Sequence, residues 1–172
     1  MNGRDIYFSA KTQTLAQFKE VYDKQLLNAT PKDGSPVIFC AMANQTPQNR
    51  YDIVKFLIGE GANLNGTNKE SETLFHILFS RPKHIMEQTV ELTQRLIDAG
   101  VDINQLDAKH RVSIQHLISH PKFTDEDFAP LYDVIFQKGT LELNIKNDWG
   151  YTPIELAQKL PYRADLLRRM TE

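Results

Sequence analysis

Four short segments of this chain recur in a fixed register, and that register limits the folds open to it. Ser35-Pro36-Val37-Ile38, Thr73-Leu74-Phe75-His76, Val112-Ser113-Ile114-Gln115 and Thr152-Pro153-Ile154-Glu155 begin at residues 35, 73, 112 and 152, so successive starts lie 38, 39 and 40 residues apart. A second series keeps the same phase: Gly61-Ala62-Asn63-Leu64-Asn65, Gly100-Val101-Asp102-Ile103-Asn104 and the looser Gly139-Thr140-Leu141-Glu142-Leu143-Asn144. Each follows an apolar run: IVKFLI from Ile53, LTQRLI from Leu92 and LYDVIF from Leu131. Self-similarity at this period is the signature of stacked supersecondary units, none of which can bury its apolar face alone.

Within a unit the local chemistry dictates helices. Ile53, Phe56 and Leu57 stand at i, i+3 and i+4 and form one apolar stripe. Gly61 and Gly100 follow such stripes and are expected to end them in the left-handed conformation. In the last unit Gly150 permits a tight turn, Thr152 can cap the first free amides, and Pro153 suits the first helical position. Ile154 and Ala157 then share a face. Each unit therefore reads as a short first helix, a longer second helix, and a turn into an extended hairpin.

These residues resemble the ankyrin-repeat unit, D-x-x-G-x-T-P-L-H-x-A-A followed by I-V-x-x-L-L-x-x-G-A-D-V-N. Asn147-Asp148-Trp149-Gly150-Tyr151-Thr152-Pro153-Ile154 matches the opening best, and IVKFLIGEGANLN, residues 53–65, matches the close. The resemblance spans nearly the whole chain, with two full-strength segments and several degraded ones. It implies an all-α, ankyrin-type α-solenoid of about five helix-pair units joined by short β-hairpin-like loops. The expected division of the single domain 1–172 is 1–31 (N-terminal cap), 32–65, 66–104, 105–144 and 145–172 (C-terminal cap).

The ends suit caps. Ile6, Tyr7 and Ala10 mark one helix, and Leu15, Phe18, Val21 and Tyr22 a second, with Lys11, Gln13, Gln17, Lys19 and Glu20 left for water. At the other end Pro161 precedes a helix whose Arg163, Arg168 and Arg169 suit an exposed final position. The chain departs from the family in length, since ankyrin units run about 33 residues. The surplus is assigned to segments between the paired helices, 44–50, 80–87 and 119–127, where Pro47, Pro82 and Pro121 end the first helix. The fourth unit is weakest, with His110 where glycine is expected and Val112 where threonine is.

Composition excludes several functions. A formal net charge of −2 with 24% charged residues offers no basic stripe for phosphates, so no nucleic-acid partner is expected. No apolar run reaches membrane-spanning length, and the opening MNGRDIYFSAKTQ lacks a basic region followed by an apolar one. Cys40 is the sole cysteine, which rules out an internal disulfide and points to the cytoplasm; it reads as a small apolar residue.

No catalytic, cofactor or metal site is expected. His116 and His120 are four apart, but no Glu or Cys accompanies them and Pro121 ends their helix. His76 stands where ankyrin units commonly carry a structural histidine, which implies a hydrogen bond to neighbouring hairpin backbone. Asp125-Glu126-Asp127 after Thr124 reads as a capped helix start with acids at its positive end. No Gly-rich phosphate loop, nucleophile elbow or Cys/His dyad appears.

What remains is surface. The resemblance implies that partners are gripped by the hairpin tips and the adjoining face of the first helices. The matching tip positions are Lys69, Glu70 and Glu72; Ala108, Lys109 and Arg111; and Asp148, Trp149 and Tyr151. Trp149, Tyr151 and Arg111 belong to the residue types that dominate binding energies, and Trp149 is the only tryptophan. Packing of Trp149 back onto the fourth unit is the alternative. The expected protein is a monomeric, non-catalytic module that binds another protein. A dedicated inhibitor or immunity protein that neutralises a toxin or enzyme is the second reading, suited by a small single-domain chain. An enzyme with an unrecognised site is the third. The inter-helix segments form the rival surface.

Overall fold

A computed structural model describes residues 4–32, 34–138 and 140–172. The described residues are all-helical, with ten α-helices, two 3-10 turns and no strand. The α-helices are α1 (Arg4–Thr12), α2 (Leu15–Val21), α3 (Val37–Met42), α4 (Pro47–Glu60), α5 (Leu74–Phe79), α6 (Met86–Asp98), α7 (Ile114–Ile118), α8 (Asp125–Lys138), α9 (Pro153–Gln158) and α10 (Ala164–Thr171). The 3-10 turns are Lys24–Leu26 and Pro161–Arg163.

Short and long helices sort into two rows. The odd-numbered helices pack in the order α1, α3, α5, α7, α9, and the even-numbered ones in the order α2, α4, α6, α8, α10. Between the rows lies one continuous core. Leu57 and Leu96, at equivalent places in α4 and α6, are both buried, as are Ile53, Leu92, Leu131 and Ile135. Phe56 lies part-way out and meets the rings of Phe18 and Tyr22 edge-on. Among the described residues no helix is long and apolar enough to cross a membrane.

Helix ends follow the residues that the sequence marks. Gly61 (φ 95°) and Gly100 (φ 77°) close α4 and α6 in the left-handed conformation. Their own amides and the next ones bond back to Ile58 O and Leu57 O, and to Ile97 O and Leu96 O. Gly139, at the corresponding place after α8, lies outside the described residues. Thr152 and Glu155 form a reciprocal cap on α9, with amide-to-side-chain bonds of 2.9 and 3.1 Å. The weak fourth unit has only a five-residue first helix, α7, started by Ser113 without a side-chain cap.

Two expectations need correction. Pro47 does not merely end the first helix of its unit; it is the first residue of α4, where its missing N–H costs nothing. Much of the surplus length therefore extends the second helix, and only 43–46 connects α3 to α4. Arg163 is not an exposed arginine but fully buried. Its guanidinium donates to Ile118 O (3.0 Å), His120 O (2.8 Å) and Asp125 Oδ1 (3.3 Å), and these acceptors make its burial tolerable.

The outer faces of neighbouring long helices are cross-linked at every step. Tyr22 donates to Glu60 and Tyr51 to Glu91, while Lys138 pairs with Asp98 and Arg169 with Asp133. Such exposed pairs add little stability each, about 0–1 kcal/mol. Their recurrence fixes the register of the row.

Candidate partner-binding site

Three turns project from one edge, and they are built alike. Asn68, Asp107 and Asn147 each open a turn whose first amide bonds to the carbonyl four residues on: Glu72, Arg111 and Tyr151. In each turn the opening side chain also accepts two amides through Oδ1, those of Glu70 and Glu72, of Lys109 and Arg111, and of Trp149 and Tyr151, at 2.9–3.1 Å. The fourth residue takes positive φ in all three: Ser71 58°, His110 54° and Gly150 82°. His110 thus adopts the conformation expected of a glycine, held by the same bonds. One further bond ties tip to tip, from Ala108 N to Glu70 O (2.8 Å) and from Asp148 N to Lys109 O (3.1 Å).

The short helices pin this ridge from inside. His76, fully buried, accepts from Thr73 N at Nδ1 (3.1 Å) and donates from Nε2 to Arg111 O (2.9 Å). That is the backbone bond expected of it. Gln115, at the same place one unit on, donates to Tyr151 O (3.4 Å). Burial, the dominant cause, lowers the basicity of His76 and keeps it neutral.

Below the last two tips lies a cleft of about 330 Å³ lined by Arg111, Gln115, His116, Ser119, Trp149 and Tyr151, with Asn147 and Leu156. Trp149 is 57% exposed. Lys109 Nζ sits 5.5 Å and Arg111 Cζ 5.9 Å from its ring centroid, so the ring leans on the fourth unit without being covered by it. Lys159 Nζ lies 4.7 Å from the centre of the Tyr151 ring. Arg111 is held by Asp107 Oδ2 at 2.6–2.7 Å, and so orients the tip rather than reaching into solvent. Asp148 accepts from His110 or pairs with it at 2.7 Å, and Lys69 pairs loosely with Glu70 at 3.8 Å. Glu72 is turned inward to accept from Asn68 (2.8 Å).

His116 and His120 do not share a site. His120 donates to Arg81 O (2.9 Å) and accepts from the Lys122 amide at Nδ1 (3.3 Å), on the loop side. His116 lies in the cleft, edge-on to His76 at 5.8 Å, with a buried Nε2 that has no hydrogen-bond partner. Burial, reinforced by Arg111 and the His76 ring, depresses its pKa to about 3. One ligand-type atom each of Glu72, Asp107 and His116 fall within 4.8 Å of one another. Both Asp107 oxygens are already filled by N–H donors, and the Arg111 guanidinium supplies the positive charge there. Asp107 is thus already neutralised and coordinatively used, and Glu72 is engaged by Asn68.

The opposite edge carries a hollow of about 360 Å³ lined by His120, Pro121, Lys122, Phe123, Thr124 and Tyr162. Of the residues expected from the sequence, Arg111, Trp149 and Tyr151 line one cleft, and Lys109 stands over the Trp149 ring. Sequence reasoning missed Gln115, His116 and Leu156, which the short helices carry to the same cleft, and Lys159, which follows α9 and lies over the Tyr151 ring at its wall. The fourth residue of each anchor segment (His76, Gln115) was the available signal.

No protein-family model matches the chain, and no curated protein does. Among solved structures it is similar to that of a functionally unknown protein from Leptotrichia buccalis C-1013-b. The two are 27% identical, the match covers 98% of this chain and 92% of that one, and the TM-score is 0.84.

Proposed function

We propose that this chain is an ankyrin-type solenoid and a non-catalytic module that binds a partner protein through its tip edge. One observation carries the reading: three identically built turns, hydrogen-bonded to one another, end in an exposed Trp149 beside a cleft. The turns meet their own backbone needs, so their side chains are left for a partner. A rigid tryptophan and tyrosine offer large contact area at small entropic cost. Glu70, Lys69, Lys109 and Asp148 around them set orientation more than affinity. The buried histidines are neutral hydrogen-bond pins, which supports a scaffold over an acid–base site. Half-buried Cys40 has its thiol pushed up by burial, a poor nucleophile that fits a reducing, cytoplasmic setting.

A dedicated inhibitor or immunity protein for a toxin or enzyme is the second form of the same reading, since it would use the same ridge. The test is affinity capture from source cells followed by titration of the captured protein. Trp149→Ala and Tyr151→Ala should each weaken it by about 2 kcal/mol or more, with unchanged circular dichroism. A partner bound normally by both variants, yet lost on changing Lys122 or Tyr162, would move the site to the opposite edge.

A further inference from the structure

The cleft is unevenly charged once internal pairs are discounted. Arg111 is neutralised by Asp107, Lys146 pairs with Glu155 at 3.8 Å, Asp148 is turned to His110, and Glu72, behind His116, is turned inward to accept from Asn68. Lys109 and Lys159 form no ion pair among the described residues, and each stands beside a ring that walls the cleft. The floor between them is apolar at Leu156 and uncharged at Gln115, Ser119 and His116. A cation over an aromatic face keeps its charge available to a second ligand, because the ring supplies only a weak quadrupole.

We propose that the cleft receives an acidic segment of the partner, with an aromatic or leucine side chain against Trp149, Tyr151 and Leu156 and flanking Asp or Glu carboxylates on Lys109 and Lys159. This rests on the reading that the tip edge binds protein, and adds the partner's chemistry. Charge complementarity selects it: the two unpaired cations favour carboxylates, and a basic segment would meet two uncompensated like charges. Nucleic acid shares the anionic and stacking chemistry. It fits less well, because two free lysines provide little counterion release and Glu70 and Asp148 stand on the same ridge.

Trp149, the only tryptophan, reports occupancy directly by fluorescence. The probes are a capped twelve-residue peptide, Glu-Asp-Phe-Asp-Glu-Leu written twice, its Gln/Asn and Lys counterparts, and a twelve-nucleotide oligothymidylate. The acidic peptide should saturate, bind at least about tenfold more tightly than the amide peptide, and weaken about threefold or more between about 50 and about 300 mM NaCl. Lys109→Glu combined with Lys159→Glu should abolish the preference, with circular dichroism unchanged. The proposal is overturned if the acidic peptide gives no saturable change, if the double variant binds it as before, or if the oligonucleotide binds better. An amide peptide bound as tightly as the acidic one would sink the charge assignment while leaving the tip edge as a binding surface. A captured partner indifferent to Trp149→Ala, Tyr151→Ala and the lysine reversals alike would sink the surface itself.

Discussion

The two edges of the stack solve the same problem in opposite ways. At the tips, regular turns satisfy their own amides through one backbone bond and one Asn or Asp side chain apiece. At the inter-helix loops the backbone is irregular, and long side chains must reach across units to satisfy its carbonyls. Asn44 donates to Ala10 O, Arg81 to Ala43 O, His120 to Arg81 O and Arg163 to His120 O, while Arg50 donates to Lys83 O. Of these, Asn44, Arg50, His120 and Arg163 are buried. Long polar side chains on the loop edge are consumed by the fold, whereas on the tip edge one Asn or Asp per turn does that work and Lys69, Glu70, Lys109 and Trp149 are left exposed. Regular backbone is therefore what frees a surface for recognition.

The strongest way to break this comparison is Arg163→Ala. It strips the Ile118 and His120 carbonyls of a buried donor and Asp125 of its charge partner, and should cost about 3–5 kcal/mol in urea unfolding. A loss under about 1 kcal/mol would mean the loop edge is not held by its arginine. Leu57→Ala and Leu96→Ala calibrate the shared core and should cost about 2–5 kcal/mol each.

Acid tests both edges together. His84, wedged between His120, Phe123 and Phe128, has its pKa pushed down to about 3, mainly by burial and then by Arg50; His116 in the cleft is likewise held near 3. Below a pH of about 6.5 the unfolded chain protonates these rings while the folded chain does not, so folding releases protons. Their contribution is therefore complete above that pH and is lost progressively down to about pH 3. By pH 5 each should cost roughly 2 kcal/mol. Urea midpoints that stay level from pH 7 to 5 would contradict the neutral, buried assignment.

Smaller effects sharpen the tip side. Asn147→Ala leaves two amides of the last turn without their acceptor and should cost about 1–2 kcal/mol. Trp149→Ala should change stability by less than about 0.5 kcal/mol, as expected of an exposed side chain. Thermal melts decide it. A loss above about 2 kcal/mol would make Trp149 a packing residue of the stack end and remove it from the recognition surface.

Much of the helical order was legible beforehand because it rests on local rules. The stripe of Ile53 and Leu57, the glycine stops at Gly61 and Gly100, and the Thr152–Glu155 cap each depend on residues within one or two turns. The tip residues Lys109 and Trp149 were readable for a related reason: their exposure follows from a turn defined within five residues. Pro47 was misread because proline ends one helix and begins another with equal ease, and only the partner helices decide which.

By itself, then, the sequence determined the repeat register, the helices and the ridge of tips, all set by spacing along the chain. Only the tertiary structure decided which polar residues are used up. Arg163 lies 43 and 45 residues from the carbonyls it serves, and Asp125 lies 40 residues from the amide of Asp165 that it caps. Leu156 joins the cleft, and Lys159 reaches the Tyr151 ring at its wall, only because α9 packs beside α7. Burial of a charge is favourable only when its partners arrive from elsewhere in the fold, and no local pattern announces their arrival.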